Sequence, residues 1–157
     1  MKKVIRPLIW TLFVIYCLAL IHILFLSRPP MTFYSIAEYF KGFSNFIPFK
    51  TIIEYIQKYG EGYQSLSFVN LAGNLFLFTP MGMGLPCLFK KVNRIWKMTL
   101  MVLAIVVLVE IAQVVLRVGS IDIDDVIFNV GGAMLGYGLI KIPPINKLLV
   151  KIHVIIV

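Results

Sequence analysis

The chain has 157 residues, of which 60% are hydrophobic and only 14% are charged, and its mean hydropathy is +0.92. This composition excludes an ordinary soluble domain. It predicts an all-α membrane protein, because about four apolar segments approach the roughly 20 residues that cross a bilayer. The formal net charge of +8 does not indicate nucleic-acid binding, since the Lys and Arg residues flank the apolar segments and form no basic face of their own. No gap between the segments could hold another globular domain, so residues 1–157 are predicted to form a single membrane domain.

The first apolar run, residues 8–26, is predicted to be a retained span with its N-terminus inside. Lys2, Lys3 and Arg6 precede it, as in a secretory signal. The run is longer than the roughly 7 to 15 residues of a signal core, and the sequence after it lacks a small-x-small cleavage site. Cys17 and Cys87 form no Cys-x-x-Cys pair and have no companion His, so they support neither a metal site nor a disulfide framework, and the sequence identifies no cofactor.

The longest connection, residues 27–65, is rich in aromatic residues and is predicted to lie on the outer membrane face. Its apolar residues recur at helical spacing on either side of Pro48, which indicates two short amphipathic helices held at the interface by their rings. Thr51 and Glu54 have the spacing of a capping box for the second helix, and Gly60 is predicted to end it.

Three further spans are predicted at residues 66–89, 98–116 and 121–140. The first of them contains Pro80, Gly82, Gly84 and Pro86, which should kink it or unwind its inner half. Ten Lys and Arg residues then lie on inside segments and five on outside ones, so the positive-inside rule predicts an N-in/C-in topology with four transmembrane helices. The tail, residues 145–157, has one apolar face and is predicted to be an interfacial helix on the cytoplasmic surface.

Polar residues within the last three spans are predicted to share one layer in the outer leaflet. At about 1.5 Å per residue they lie roughly 6 to 12 Å below the outer surface, and each set lies on one face of its helix. The layer consists of Asn70, Asn74, Glu110, Asp125 and Asn129, and the predicted functional cluster adds Gln113 and Asp122 from the same helix faces. Gly132 and Gly136 continue the stripe of the last span and should allow close helix contact.

A purely structural interpretation of these residues is also open. Asp122 and Asp124 have the positions of helix N-terminal charges, and Asp124 points away from the stripe. The Asn and Gln side chains could serve as hydrogen bonds between helices. Glu110 and Asp125 favour a function, because a carboxylate inside a span is costly and rare without a role.

The order and spacing of these residues resemble the VanZ-like family of small bacterial membrane proteins. The matching motifs are an N-x-x-P-F segment, N-x-x-x-N with a following P-x-G, E-x-x-Q, and D-x-D-D-x-x-x-N-x-x-G. They comprise Asn45, Pro48, Phe49, Asn70, Asn74, Pro80, Gly82, Glu110, Gln113, Asp122, Asp124, Asp125, Asn129 and Gly132. One departure is Gly119, which stands where many members carry Arg; Arg117 is the nearest arginine.

The resemblance implies a location in the bacterial plasma membrane and an envelope-related role linked to resistance against the lipoglycopeptide teicoplanin. Its implied partners, besides the bilayer, are an outer-leaflet lipid, a cell-wall precursor or the lipoglycopeptide. An alternative is an enzyme acting on a lipid or precursor head group, with Glu110 as general base or with Glu110, Asp122 and Asp125 holding Mg²⁺ or Ca²⁺. A small transporter that uses the carboxylates as relays is a third hypothesis.

Overall fold

A computed structural model gives the architecture of the chain. It describes the backbone of residues 2–27, 29–32, 34–57 and 64–151. Side chains are described for the same residues except 2–4, 55–56 and 64–71.

The described residues form helices and no strand, which confirms the all-α prediction. A π-helical turn, His22–Leu26, extends the first helix, and a 3₁₀ turn, Lys90–Val92, follows the fourth. The α-helices in chain order are α1 (Lys2–Ile21), α2 (Ile36–Phe43), α3 (Lys50–Gln57), α4 (Gln64–Leu88), α5 (Ile95–Leu116), α6 (Ile123–Lys141) and α7 (Pro143–Lys151).

Among the described residues, three helices are long and apolar enough to cross a membrane. They are Ile5–Leu26, Ile95–Leu116 and Ile123–Lys141, which coincide with three of the predicted spans. The predicted span at 66–89 coincides with α4, which has 25 residues. Four crossings and their orientation remain a prediction.

The aromatic connection contains the two short helices that the sequence predicts, α2 and α3. Ser35 and Glu38 form a capping box at the start of α2, and the hydrogen bonds that Ser35 donates to the carboxylate hold the pKa of Glu38 below its ordinary value. The capping box predicted at Thr51 and Glu54 is wrong, because α3 begins at Lys50 and the Thr51 hydroxyl donates to Asp122 instead. The predicted end at Gly60 lies outside the described residues.

The helix α4 remains continuous through its Pro and Gly cluster, so of the two predicted alternatives the unwinding of its inner half is wrong, while a kink stays a prediction. Close packing against α6 explains the glycines. A Cβ on Gly82 would lie 1.8 Å from the carbonyl oxygen of Ala133, and Cβ atoms on Gly132 and Gly136 would lie 1.9 Å and 2.0 Å from carbonyl oxygens of α4. Only glycine permits this backbone contact, so the close approach predicted for Gly132 and Gly136 is confirmed.

The long helices alternate in direction. Gly132 meets Leu75 and Gly136 meets Thr79, so α4 and α6 run parallel. The helix α1 runs antiparallel to α4, because Trp10 contacts Phe89 while the Tyr16 hydroxyl donates to the carbonyl oxygen of Leu77, 2.8 Å away.

The helix α5 divides its surface between the bundle and the surrounding lipid. In α5, Met98, Val102 and Val106 recur every four residues and are fully buried against the core. Leu100 and Leu108 on the opposite side are exposed, as expected for side chains that face acyl chains. The helix α7 covers part of the predicted tail, of which residues 152–157 lie outside the described part.

Candidate functional site

The start of α6 is attached to the segment between α2 and α3 by two carboxylates and two backbone hydrogen bonds. The Asn45 N–H donates to the carbonyl oxygen of Ile121 (2.7 Å), and the Ile123 N–H donates to that of Asn45 (3.0 Å). Asp122 is the N-cap of α6, and its carboxylate accepts from Asn45 Nδ2 (3.1 Å) and from the Thr51 hydroxyl (2.5 Å). The loop is thereby fixed to α6 over a sequence separation of more than 70 residues.

Asp124 completes this attachment from inside the protein. Its side chain is fully buried and accepts from the backbone N–H groups of Phe49 (2.5 Å) and Thr51 (3.0 Å). Phe49 has a φ of 64°, an uncommon left-handed conformation for a phenylalanine, which the bond to Asp124 helps to hold. We call the set Asn45, Phe49, Thr51, Asp122 and Asp124 the clasp. Asp124 does lie in the first turn of α6, as predicted, but it serves as a buried anchor for the loop.

A second contact joins α6 to α4. Asn74 Nδ2 donates to Asp125 Oδ1 over 2.5 Å, so the structure brings together two of the residues of the predicted layer. Asn129 lies one turn further along α6 and is only 3% exposed. Its Oδ1 atom is buried and accepts no hydrogen bond from any residue that the structure describes. The backbone of Asn70 lies in α4, but its side chain is outside the described part.

Glu110 and Gln113 continue the buried stripe of α5. Glu110 is 3% exposed, and Gln113 Nε2 donates to the carbonyl oxygen of Leu24 (3.1 Å), which ties α5 to the end of the first span. The contact between Thr99 Oγ1 and Met134 Sδ (3.1 Å) fixes α5 against α6. Counting about 1.5 Å per residue from that contact places Glu110 within about 3 Å of the level of Asp125.

Arg117 ends α5 in a left-handed conformation, with φ 55° and ψ 35°. The N–H groups of Arg117 and Val118 bond back to the carbonyl oxygens of Val114 and Gln113, the pattern of a Schellman motif. Its Nη1 donates to the carbonyl oxygen of Tyr34 (2.7 Å), and its own carbonyl accepts from Met31. Arg117 therefore holds the chain after the first span against the end of α5.

The polar motif residues whose side chains the structure describes thus lie towards one end of the bundle, where α5 ends and α6 begins. The model of the VanZ/LLP1 family matches residues 13–145. The chain belongs to the VanZ/LLP1 family. Neither the curated proteins nor the solved structures include one that matches it. With this family and three membrane-length helices, it is a VanZ-like membrane protein.

The motif residues of this VanZ/LLP1 chain have two different surroundings. Asn45, Phe49, Asp122 and Asp124 belong to the clasp, where they connect the loop to α6. Asn74, Asp125 and Asn129 lie at or beside the contact between α4 and α6, with Glu110 and Gln113 on α5. The family motifs alone treat these residues as one set and do not distinguish the two surroundings.

Thr51 is the residue whose part in this arrangement the sequence did not reveal. Its hydroxyl bonds to Asp122 and accepts from Asn45 Nδ2 (3.1 Å), and its N–H bonds to Asp124. No local signal identifies these partners; only the presence of Asn45 and Phe49 in the same motif hinted at a role for the segment. In the described part of the VanZ/LLP1 chain, no group of three or more His, Cys, Asp and Glu is placed to hold a metal ion. Glu110, Asp122 and Asp125 therefore do not form a ligand set for Mg²⁺ or Ca²⁺.

Proposed function

We propose that this VanZ-like membrane protein binds a polar head group at the outer leaflet of the bacterial plasma membrane and thereby contributes to teicoplanin resistance. The site is the polar layer of Asn70, Asn74, Glu110, Asp125 and Asn129, with Gln113 and Asp122 at its margins. The observation that carries the proposal is the acceptor oxygen of Asn129, which is buried beside the Asn74–Asp125 contact.

A layer with only a structural role would satisfy its buried polar atoms, because an unsatisfied acceptor costs about 1 to 3 kcal/mol. Asn129 Oδ1 lacks a donor among the described residues. An amine or hydroxyl group of a head group supplies that donor. The level shared by Glu110 and Asp125 adds carboxylates that favour the same chemistry, since charged acceptors form the stronger hydrogen bonds. These groups fit a head group rich in hydrogen-bond donors.

Placement at the outer leaflet rests on topology. The alternating helix directions agree with four crossings, and the Lys and Arg distribution favours N-in/C-in. Ser120 then lies outside, between α5 and α6, and Lys91 lies inside.

Cysteine labelling tests this orientation. In a background with Cys17 and Cys87 replaced by Ala, Ser120→Cys should react with a membrane-impermeant maleimide on intact cells. Lys91→Cys should react with it only after the membrane is permeabilised. The reverse pattern would contradict the outer-leaflet position.

Teicoplanin susceptibility tests the site. Expression of the wild-type chain in a sensitive host should raise the inhibitory concentration, and Asp125→Asn and Glu110→Gln should return it to the level of the empty vector. Asp125→Asn removes the charge but keeps an oxygen that can accept from Asn74, so the α4–α6 contact survives.

The control is Glu54→Gln, which removes a carboxylate from an exposed ion pair with Lys50. It should retain the wild-type resistance. Equal resistance of all variants at equal abundance in the membrane would refute the site. Mass spectrometry of lipid extracts separates binding from reaction, because a chemically altered head group in cells with the wild-type chain would indicate an enzyme.

A further inference from the structure

The charges of the chain are segregated along its length. No Asp or Glu occurs between Glu61 and Glu110, and none occurs after Asp125. Cations are frequent in those same segments. Seven of them form what we call the basic end: Lys90, Lys91, Arg94, Lys97, Lys141, Lys147 and Lys151.

These seven residues belong to one end of the helix bundle. Lys90, Lys91, Arg94 and Lys97 lie between the end of α4 and the first turn of α5, while Lys141 ends α6 and α7 follows directly. The antiparallel contacts of α1 with α4 bring Arg6 to the same end, since Trp10 packs on Phe89. The acidic clasp lies at the opposite end, where α6 begins.

The loop that carries these cations is fixed in place by α6. The Tyr137 hydroxyl donates to the carbonyl oxygen of Asn93 (3.0 Å), and Lys141 Nζ donates to Asn93 Oδ1 (2.6 Å). Val92 is buried in the core, which anchors the 3₁₀ turn. Lys91 and Arg94 on either side are exposed. The two cations therefore project from a loop whose backbone is already ordered.

Aromatic side chains flank the cations. Trp10 and Phe89 contact edge to face at 5.4 Å, and both are more than a third exposed. Trp96 is 55% exposed, with Lys97 Nζ 5.3 Å from its ring. Indole rings favour the head-group level of a bilayer, where one edge is apolar and the other hydrated. The basic end thus carries the exposed aromatic residues that are typical of a lipid interface.

We propose that the basic end binds the phosphate groups of anionic phospholipids in the leaflet opposite the clasp. Lys91 and Arg94 are exposed, no Asp or Glu occurs in the segment that carries them, and basic sites between membrane helices recognise such head groups. Because contacts with α6 already order the loop, less conformational entropy is lost when a lipid binds. This proposal is independent of the polar layer and of any role in resistance.

The only two tryptophans, Trp10 and Trp96, both lie at the basic end and make a direct assay available. The full-length protein is reconstituted in phosphatidylcholine vesicles that contain either brominated phosphatidylglycerol or brominated phosphatidylcholine. Bromine quenches nearby indoles. The expected result is stronger quenching by the anionic lipid at equal mole fraction, weakening as salt is raised.

The variant Lys91→Gln with Arg94→Gln should lose about 25-fold of the preference for phosphatidylglycerol, because each cation near the surface contributes about fivefold. The matched control, Lys41→Gln with Lys50→Gln, removes two cations from α2 and α3 and should keep the preference. Equal quenching of the wild type by the two lipids would overturn the proposal. An unchanged preference in the variant Lys91→Gln with Arg94→Gln would also overturn it. If that variant does not reconstitute, the comparison of the two lipids with the wild type decides.

Discussion

Replacing Gly132 with Ala should force α4 and α6 apart. The added Cβ would lie 1.9 Å from the carbonyl oxygen of Leu75 and 2.7 Å from its carbonyl carbon. The obstacle is backbone, so no side-chain rotation relieves it and the helices must shift by more than 1 Å. We expect a loss of about 3 kcal/mol or more in the free energy of unfolding, at or above the upper end of ordinary overpacking.

Unfolding of the purified protein by SDS in mixed micelles measures this effect, with helicity followed by circular dichroism. Gly138→Ala is the control on the same helix, because a Cβ there meets nothing within 4 Å. It should be neutral or stabilising by up to about 1 kcal/mol, since Ala is the better helix former. Equal unfolding midpoints for the two variants would show that α4 and α6 are not in backbone contact.

The helices could be predicted from the sequence because their signals are local. Apolar runs of membrane length gave the long helices, and helical periodicity gave α2 and α3. The behaviour of α4 could not be predicted in this way. Pro80, Gly82, Gly84 and Pro86 are breakers in isolation, yet α4 continues through them. Gly82 contacts the backbone of α6, and Gly84 faces the Phe13 ring of α1. These glycines contact other helices, and no local sequence pattern predicts such contacts.

The candidate site was predictable to the same extent. Angular position and depth placed Asn74 and Asp125 in one layer, and the structure joins them with a hydrogen bond. The clasp was not predictable, because its partners are more than 70 residues apart and several of them are backbone N–H groups. For the same reason Asp124 could be assigned only as a helix-end charge, because helical periodicity does not predict the loop that buries it.

Replacing Asp124 with Ala should release the loop from α6. The backbone N–H groups of Phe49 and Thr51 would lose their acceptor, a carboxylate that is itself fully buried, at about 1 to 3 kcal/mol each. Phe49 would also lose the bond that helps to hold its left-handed conformation. We expect a destabilisation of about 2 to 5 kcal/mol, concentrated in the segment from Asn45 to Thr51.

Amide hydrogen exchange distinguishes this local release from global unfolding. In Asp124→Ala the amides of Phe49 and Thr51 should exchange much faster, while those in the middle of α5 keep their protection. Asp124→Asn should have a smaller effect, because the amide retains one acceptor oxygen for the two donors. Glu54→Gln, the exposed control in the same segment, should change stability by no more than about 0.5 kcal/mol. Unchanged exchange at Phe49 and Thr51 in Asp124→Ala would mean that the backbone bridge between Asn45 and α6 holds the loop without the buried carboxylate.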